Sequence, residues 1–130
     1  MFRFVYDNAG GRTMGNAMKV AVSAGENYAI GEALVITGGK ATKCGATAKP
    51  THMCVCDQKA DSAEDILIYP ISSTMVFETI VTADPAALSV GSKVTLASDA
   101  LGVTATTASG VCEIVDLREN VAGGHVLVKF

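Results

Sequence analysis

The sequence is poor in the residues that usually build a large core or a catalytic centre. Its 130 residues include no tryptophan, four phenylalanines, three tyrosines, three prolines and two histidines. Charged residues make up 18% of the chain and the net charge is −3, so no basic stripe is expected and we predict no nucleic-acid partner. No apolar run reaches the roughly 18 residues of a membrane span, so we expect no membrane partner either.

The N-terminus also lacks a recognisable targeting signal. The first ten residues, MFRFVYDNAG, contain no apolar segment of the kind that signal peptides carry. We therefore expect the protein to be made in the cytoplasm.

The abundant residues are small or favour β-strands. Hydrophobic residues make up 49% of the chain, which excludes global disorder, and many of them are alanine and valine. In no stretch of about eleven residues do the apolar residues recur with the period of a helix. Instead, about ten short strands alternate with turns, such as the hairpin signal at Gly38 and Gly39. This pattern predicts an all-β fold, a small β-barrel or sandwich.

The N-terminal segment differs from the rest of the chain. Residues 2–6 (FRFVY) alternate in side-chain character, and residues 7–17 are rich in glycine and asparagine. We predict an N-terminal arm and hinge over residues 1–17 and a single β-barrel domain over residues 18–130. The arm could dock on another chain or form an edge strand of the same barrel, and the sequence leaves both alternatives open.

Two segments resemble each other at an offset of about 60 residues. The first begins at Gly31 (GEALVITGGKAT) and the second at Gly91 (GSKVTLASDALGVT). Each runs from a glycine through a strand, a glycine-containing turn and a second strand. Either the chain contains an internal pseudo-repeat, or the common residues Ala, Gly, Val and Thr produce the likeness by chance.

Cysteine and histidine could in principle form a metal site. The cysteines occur singly or as one C-x-C, whereas structural zinc sites usually show two C-x2-C knuckles. Free core cysteine is the alternative that we favour, and we predict no metal and no cofactor. The residues concerned are His52, Cys44, Cys54, Cys56 and Cys112.

No catalytic constellation is apparent, and we predict that the protein is not an enzyme. His52 and His125 stand at the starts of predicted strands without a serine or cysteine in a nucleophile motif. The acidic residues between 57 and 65 lack the spacing of a calcium loop and indicate a solvated turn. A small all-β protein without such a site is expected to act through its surface.

Four stretches of the chain resemble head decoration proteins of tailed bacteriophages and prophages, which cement or stabilise the capsid. The stretches are AVSAGENYAIGEALVITGGKATKC, CVCDQKAD before ILIYPI, VGSKVTLASDALGVTATTASGVCEIVD, and the terminal AGGHVLVKF. They lie within residues 18–130.

The resemblance implies a structural virion protein on the outer surface of the capsid. Its partner would be the major capsid protein, and it would associate with itself as a trimer. In this group an N-terminal arm commonly adds a strand to the coat subunit. The residues of this chain that match the arm, and are thus expected to bind the capsid, are Phe2, Arg3, Phe4, Val5 and Tyr6.

Two other functions compete with this one. The protein could be a different phage structural component, such as a tail-tube, head-completion or fibre module that assembles into rings or needles. It could also be a β-barrel that binds a metal through the cysteine and histidine residues named above.

Overall fold

A computed structural model describes residues 1–11, 16–58 and 64–130, and the regular elements within these ranges are all β-strands. The strands are β1 (Arg3–Asp7), β2 (Met18–Val22), β3 (Ala33–Thr37), β4 (Lys40–Lys43), β5 (His52–Cys54), β6 (Ile66–Pro70), β7 (Met75–Ile80), β8 (Lys93–Val94), β9 (Cys112–Leu117) and β10 (His125–Lys129). The prediction of an all-β fold with about ten short strands is thereby confirmed. None of the described residues forms a helix long and apolar enough to cross a membrane.

The first half of the chain closes into a five-stranded barrel in the order β2-β4-β3-β5-β6. The β2–β4 pair is parallel, and the other pairs are antiparallel. Strands β3 and β4 form the predicted hairpin, in which Thr37 pairs with Lys40. Gly38 and Gly39 have φ angles of 58° and 78°. Two consecutive positive φ angles are what a tight turn matched to the twist of a hairpin requires, and glycine adopts them without strain.

The second half forms a five-stranded sheet in the order β1-β7-β10-β9-β8. Isolated bridges extend this sheet beyond its named strands: Val103 pairs in parallel with Val81 and antiparallel with Leu96. These bridges connect β7 back to the chain that follows β8. The second half is therefore nearly closed, whereas the barrel of the first half is fully closed.

The pairing registers of the two halves correspond, which supports the pseudo-repeat. Ala33 pairs with Met53 in the barrel, and Lys93 pairs with Glu113 in the sheet. Each residue of the second pair lies about 60 residues after its counterpart in the first pair. The hydrogen bond from the Gly31 amide to the Cys54 carbonyl has its counterpart between Gly91 and Ile114. Chance similarity in composition would not reproduce which residues pair.

A further pair of strands corresponds between the two halves. Lys19 of β2 pairs with Leu67 of β6, and Glu78 of β7 pairs with Leu127 of β10. The neighbouring pairs follow the same register, Met18 with Ile68 and Phe77 with Val128. Strand β2 is thus the counterpart of β7, and β6 is the counterpart of β10.

A shared core joins the two halves. One cluster of buried residues includes Ala33 and Met53 from the barrel together with Leu96 and Ala100 from the second half. The Ala33 amide donates to the Ala100 carbonyl at 2.9 Å, and the Leu96 amide donates to the Ala46 carbonyl at 2.9 Å. A second, smaller cluster fills the inside of the barrel.

Candidate functional site

The predicted capsid-binding residues lie in β1 and, for Phe2, directly before it, at one edge of the second sheet. Strand β1 runs antiparallel to β7, with Arg3 opposite Glu78 and Asp7 opposite Met75. The sequence left open a docking arm or an edge strand of the same barrel, and β1 is an edge strand of the same molecule, in the five-stranded sheet rather than in the closed barrel. A bulge interrupts the pairing between Phe4 and Tyr6. Residues 12–15 of the predicted hinge lie outside the described part of the chain.

All four phenylalanines meet beneath this edge. Phe2 packs edge-on against Phe130 with ring centroids 5.3 Å apart, and Phe4 packs edge-on against Phe77 at 6.0 Å. Phe77 and Phe130 are 5.6 Å apart and connect the two pairs. Phe2 is 3% exposed. The rings of Phe2 and Phe4, which we expected to bind the capsid, thus pack within the molecule, and a partner could receive them only if β1 left the sheet.

The backbone of β1 is held at both ends. The Phe2 amide donates to the Gly31 carbonyl at 2.9 Å, and the Asp7 amide donates to the Gly11 carbonyl at 3.0 Å. Gly31 has a φ of 72°, and a Cβ there would lie 2.5 Å from the Phe2 carbonyl oxygen. Only glycine lets the N-terminal segment approach this turn so closely. Main-chain hydrogen bonds thus anchor the N-terminal segment on both sides of the residues from Arg3 to Tyr6.

A cluster of charged side chains surrounds Glu78 on the outer face of this sheet. Its carboxylate lies 2.9 Å from Arg3 Nη2, 3.4 Å from Arg118 Nη1 and 3.3 Å from His125 Nδ1. Burial alone would raise the pKa of Glu78, but the Arg3 hydrogen bond and the positive charges of Arg3 and Arg118 hold it below its ordinary value. The carboxylate thus stays ionised and ties β1, β7, β9 and β10 together through its partners.

Two shallow grooves flank the N-terminus. One, of about 290 Å³, is lined by Met1, Ile80 and His125, and the other, of about 260 Å³, by Met1, Ile30 and Val55. Met1, Ile30 and Ile80 are exposed by 60%, 47% and 37%. These three side chains form an apolar rim around the N-terminus, which we call the N-terminal rim. Adjacent exposed apolar residues of this kind are typical of surfaces that contact other proteins.

A third cavity, of about 570 Å³, lies against strands β8, β9 and β10 of the second sheet. Three lysines line it, Lys49, Lys93 and Lys129, together with Glu113. Lys129 Nζ lies 3.0 Å from the Glu113 carboxylate. Because Glu113 pairs with Lys93 across one strand and with Lys129 across the other, the carboxylate sits between two positive charges as part of a cross-strand row.

The cysteines are free thiols, and three of them are buried. Burial raises the pKa of Cys44 to about 11 and that of Cys54 to about 12, and it also raises the pKa of Cys112. Thiols of this kind are poor nucleophiles because little thiolate forms near neutral pH. Burial also lowers the pKa of His52, whose Nδ1 lies 2.8 Å from the Thr51 hydroxyl.

No group of three or more His, Cys, Asp or Glu residues that could hold a metal ion occurs among residues 1–11, 16–58 and 64–130. The acidic segment between 57 and 65 is only partly described. Within it, Asp57 accepts a hydrogen bond from the Ile30 amide at 2.9 Å, whereas Asp61 lies outside the described ranges.

Glu32 is a buried carboxyl next to the turn that receives Phe2. Its side chain is 2% exposed; Oε2 accepts the Ala29 amide at 2.9 Å and Oε1 lies 3.5 Å from Lys43 Nζ. Oε1 accepts no hydrogen bond from the described part of the chain. Burial raises the pKa of Glu32, and the Ala29 amide and the Lys43 ammonium only partly oppose that rise.

The structure brings some of the predicted residues together and adds others. Arg3 joins the charged cluster around Glu78, while Phe2 and Phe4 belong to the aromatic cluster. The parts that Glu78, Arg118 and His125 play were missed because Glu78 in β7 lies 40 residues before Arg118, which follows β9, and still further before His125 at the start of β10. Their alternating positions in β-strand patterns show which face they occupy, but only strand order shows that the faces adjoin.

Comparisons with protein-family models, with curated proteins and with solved structures find no match for this chain.

Proposed function

We propose that the protein is a structural component of a bacteriophage virion that binds the outer surface of the capsid and stabilises the coat lattice. Its partner is the major capsid protein, and the bound form is a trimer. The N-terminal rim, where Met1, Ile30 and Ile80 surround the held strand β1, is the observation that carries the proposal on the structural side. The resemblance of residues 18–130 to head decoration proteins supplies the kind of partner.

In this proposal β1 contributes to binding as part of a preformed surface. Phe2 and Phe4 anchor the strand from below, while Arg3, Val5 and Tyr6 lie on the accessible part of the segment. A surface that is already ordered loses less conformational entropy on binding than a free arm does. Many copies on one shell then turn a modest affinity per site into a large total stabilisation of the lattice.

Co-sedimentation with purified expanded shells of the encoding phage or prophage tests the proposal. The wild-type protein should pellet with the shells to a saturating ratio. Ile30→Asp should weaken binding about tenfold or more, because it places a charge within an apolar contact. Val90→Asp is the matched control, since Val90 is 67% exposed and lines neither groove of the N-terminal rim.

Absence of wild-type co-sedimentation would overturn the proposal, as would equal binding by the Ile30 and Val90 variants. The mass of the unbound protein in solution separates it from its nearest competitor. A monomer or trimer agrees with a decoration protein, whereas a hexamer or filament indicates a tail-tube or head-completion module.

A further inference from the structure

The two halves of the molecule differ in how one strand edge is paired. In the second half, β1 covers the outer edge of β7 by pairing with Phe77 and Glu78. The corresponding residues of the first half are Met18 and Lys19 of β2. Strand β4 pairs with β2 only at Ala21 and Val22. No described residue pairs with β2 beside Met18 and Lys19 on that side.

The edge of β2 that no described residue pairs with carries an exposed apolar side chain. Phe77 is fully buried, and the ring of Phe4 from β1 is one of the groups that pack against it. Its counterpart Met18 is 49% exposed although it points to the same side of its sheet. An apolar side chain of an added strand, placed opposite Met18 as Phe4 is placed opposite Phe77, would bury this surface.

The charge at this edge is opposite to that of its counterpart. Glu78 faces Arg3 of β1 at 2.9 Å, whereas Lys19 stands at the corresponding position of the first half. Lys19 and nearby Lys40, which pairs with Ala21, are both exposed, and neither forms an ion pair with a described residue. A strand with the sequence of β1 would place Arg3 against Lys19 and be repelled. An acidic residue at that position would be attracted instead.

We propose that the edge of β2 at Met18 and Lys19 binds an extended segment of a partner protein that runs antiparallel to β2. The segment carries an apolar residue opposite Met18 and an aspartate or glutamate opposite Lys19. Main-chain hydrogen bonds to the edge supply affinity, and the two side-chain contacts supply selectivity. The inference does not depend on the capsid proposal, because it follows from the comparison of the two halves and applies to any protein that carries such a segment.

The test uses two synthetic peptides with the sequence of residues 1–7, which differ at a single position. One has the natural arginine at the position of Arg3, and the other has glutamate there. Each is titrated to millimolar concentration into the isotopically labelled full-length protein, and amide chemical shifts are followed by NMR. The glutamate peptide should shift the amides of Met18 and Lys19 and should bind more tightly than the arginine peptide.

Charge reversal of the receptor provides the matched control. Lys19→Glu should weaken binding of the glutamate peptide about fivefold and should strengthen binding of the arginine peptide by a similar factor. Lys49→Glu reverses a lysine at the distant cavity and should leave both titrations unchanged. Lys19 is exposed, so its replacement is compatible with the fold, and the unperturbed spectrum of the variant verifies this.

Three results would overturn the inference. The first is the absence of any shift at Met18 and Lys19 at millimolar glutamate peptide. The second is a set of shifts confined to β7, which would mean that the peptide displaces β1. The third is identical binding of both peptides by the wild type and by Lys19→Glu.

Discussion

Glu32 is the residue whose surroundings suit its ordinary ionised form least. Its side chain is 2% exposed and its nearest cation, Lys43, lies 3.5 Å away rather than at close hydrogen-bonding distance. Burial raises the pKa of the folded-state carboxyl above the value of 4.5 that is ordinary for glutamate. The folded chain therefore holds this proton more tightly than the unfolded chain does. The stabilising contribution of protonated Glu32 is present in full below the pKa that Glu32 has in the unfolded chain. It is lost as the pH rises through the pKa that Glu32 has in the folded chain.

Glu32→Gln should remove this pH dependence. Glutamine keeps an oxygen for the Ala29 amide and carries no charge at any pH. The free energy of unfolding is measured by urea titration between pH 4 and pH 7. The value for the variant should increase relative to that of the wild type as the pH rises. Asp65→Asn, which removes an exposed carboxylate, controls for the general loss of a negative charge. A wild-type-to-variant difference that stays constant over this range would contradict the prediction.

At the scale of single elements, β1 shows how a short strand is held by contacts on several sides. Its rings enter the aromatic cluster, Arg3 joins the Glu78 cluster, and the Phe2 amide bonds to Gly31. The alternation of FRFVY correctly indicated an extended segment. It could not indicate the partner strand, since β7 lies about 70 residues further along the chain and many strands offer an apolar face.

The approach of the N-terminal segment to Gly31 can be tested by adding one methyl group. Gly31→Ala should lower the free energy of unfolding by about 3 kcal/mol, because the new Cβ meets the Phe2 backbone and the residue has a positive φ. Gly38→Ala should cost only about 1 kcal/mol, since its φ is also positive but nothing lies within 4 Å of the new Cβ.

Hydrogen exchange distinguishes the two glycine variants further. Amides of β1 should lose protection in Gly31→Ala and keep it in Gly38→Ala. Equal stability losses, with β1 protected in both variants, would show that the close approach of Phe2 to Gly31 does not hold the strand.

At the scale of the whole molecule, the two halves repeat one topology but share one core. Leu96 illustrates the connection, because it is fully buried in the shared cluster and its amide bonds to Ala46 in the first half. The similarity between the segments after Gly31 and Gly91 left a repeat and chance likeness open, and the corresponding strand pairs support the repeat and supply its register. Composition alone could not distinguish two independent units from one, because the shared core depends on how the halves pack.

The shared core predicts a single cooperative unfolding transition. Leu96→Ala should lower the free energy of unfolding by about 3 kcal/mol, the typical cost of a cavity in a well-packed core. In urea titrations followed by NMR, amide signals of Leu34 and Val128 should lose intensity at the same midpoint and shift together in the variant. Val90→Ala, at an exposed position, should change stability by less than about 0.5 kcal/mol. Separate midpoints for the two signals would show that the halves unfold independently.

The sequence by itself determined the fold class, because alternation with period two, β-branched residues and glycine turns act locally along the chain. The hairpin at Gly38 and Gly39 is an example, since its geometry depends on those two residues and their neighbours. Only the tertiary structure decided where β1 lies, which residues gather around Glu78, and that no described residue pairs with Met18 and Lys19 on the side of β2 that faces away from β6. These features depend on contacts between residues far apart in sequence, and such contacts form when strand order and register bring separate faces together.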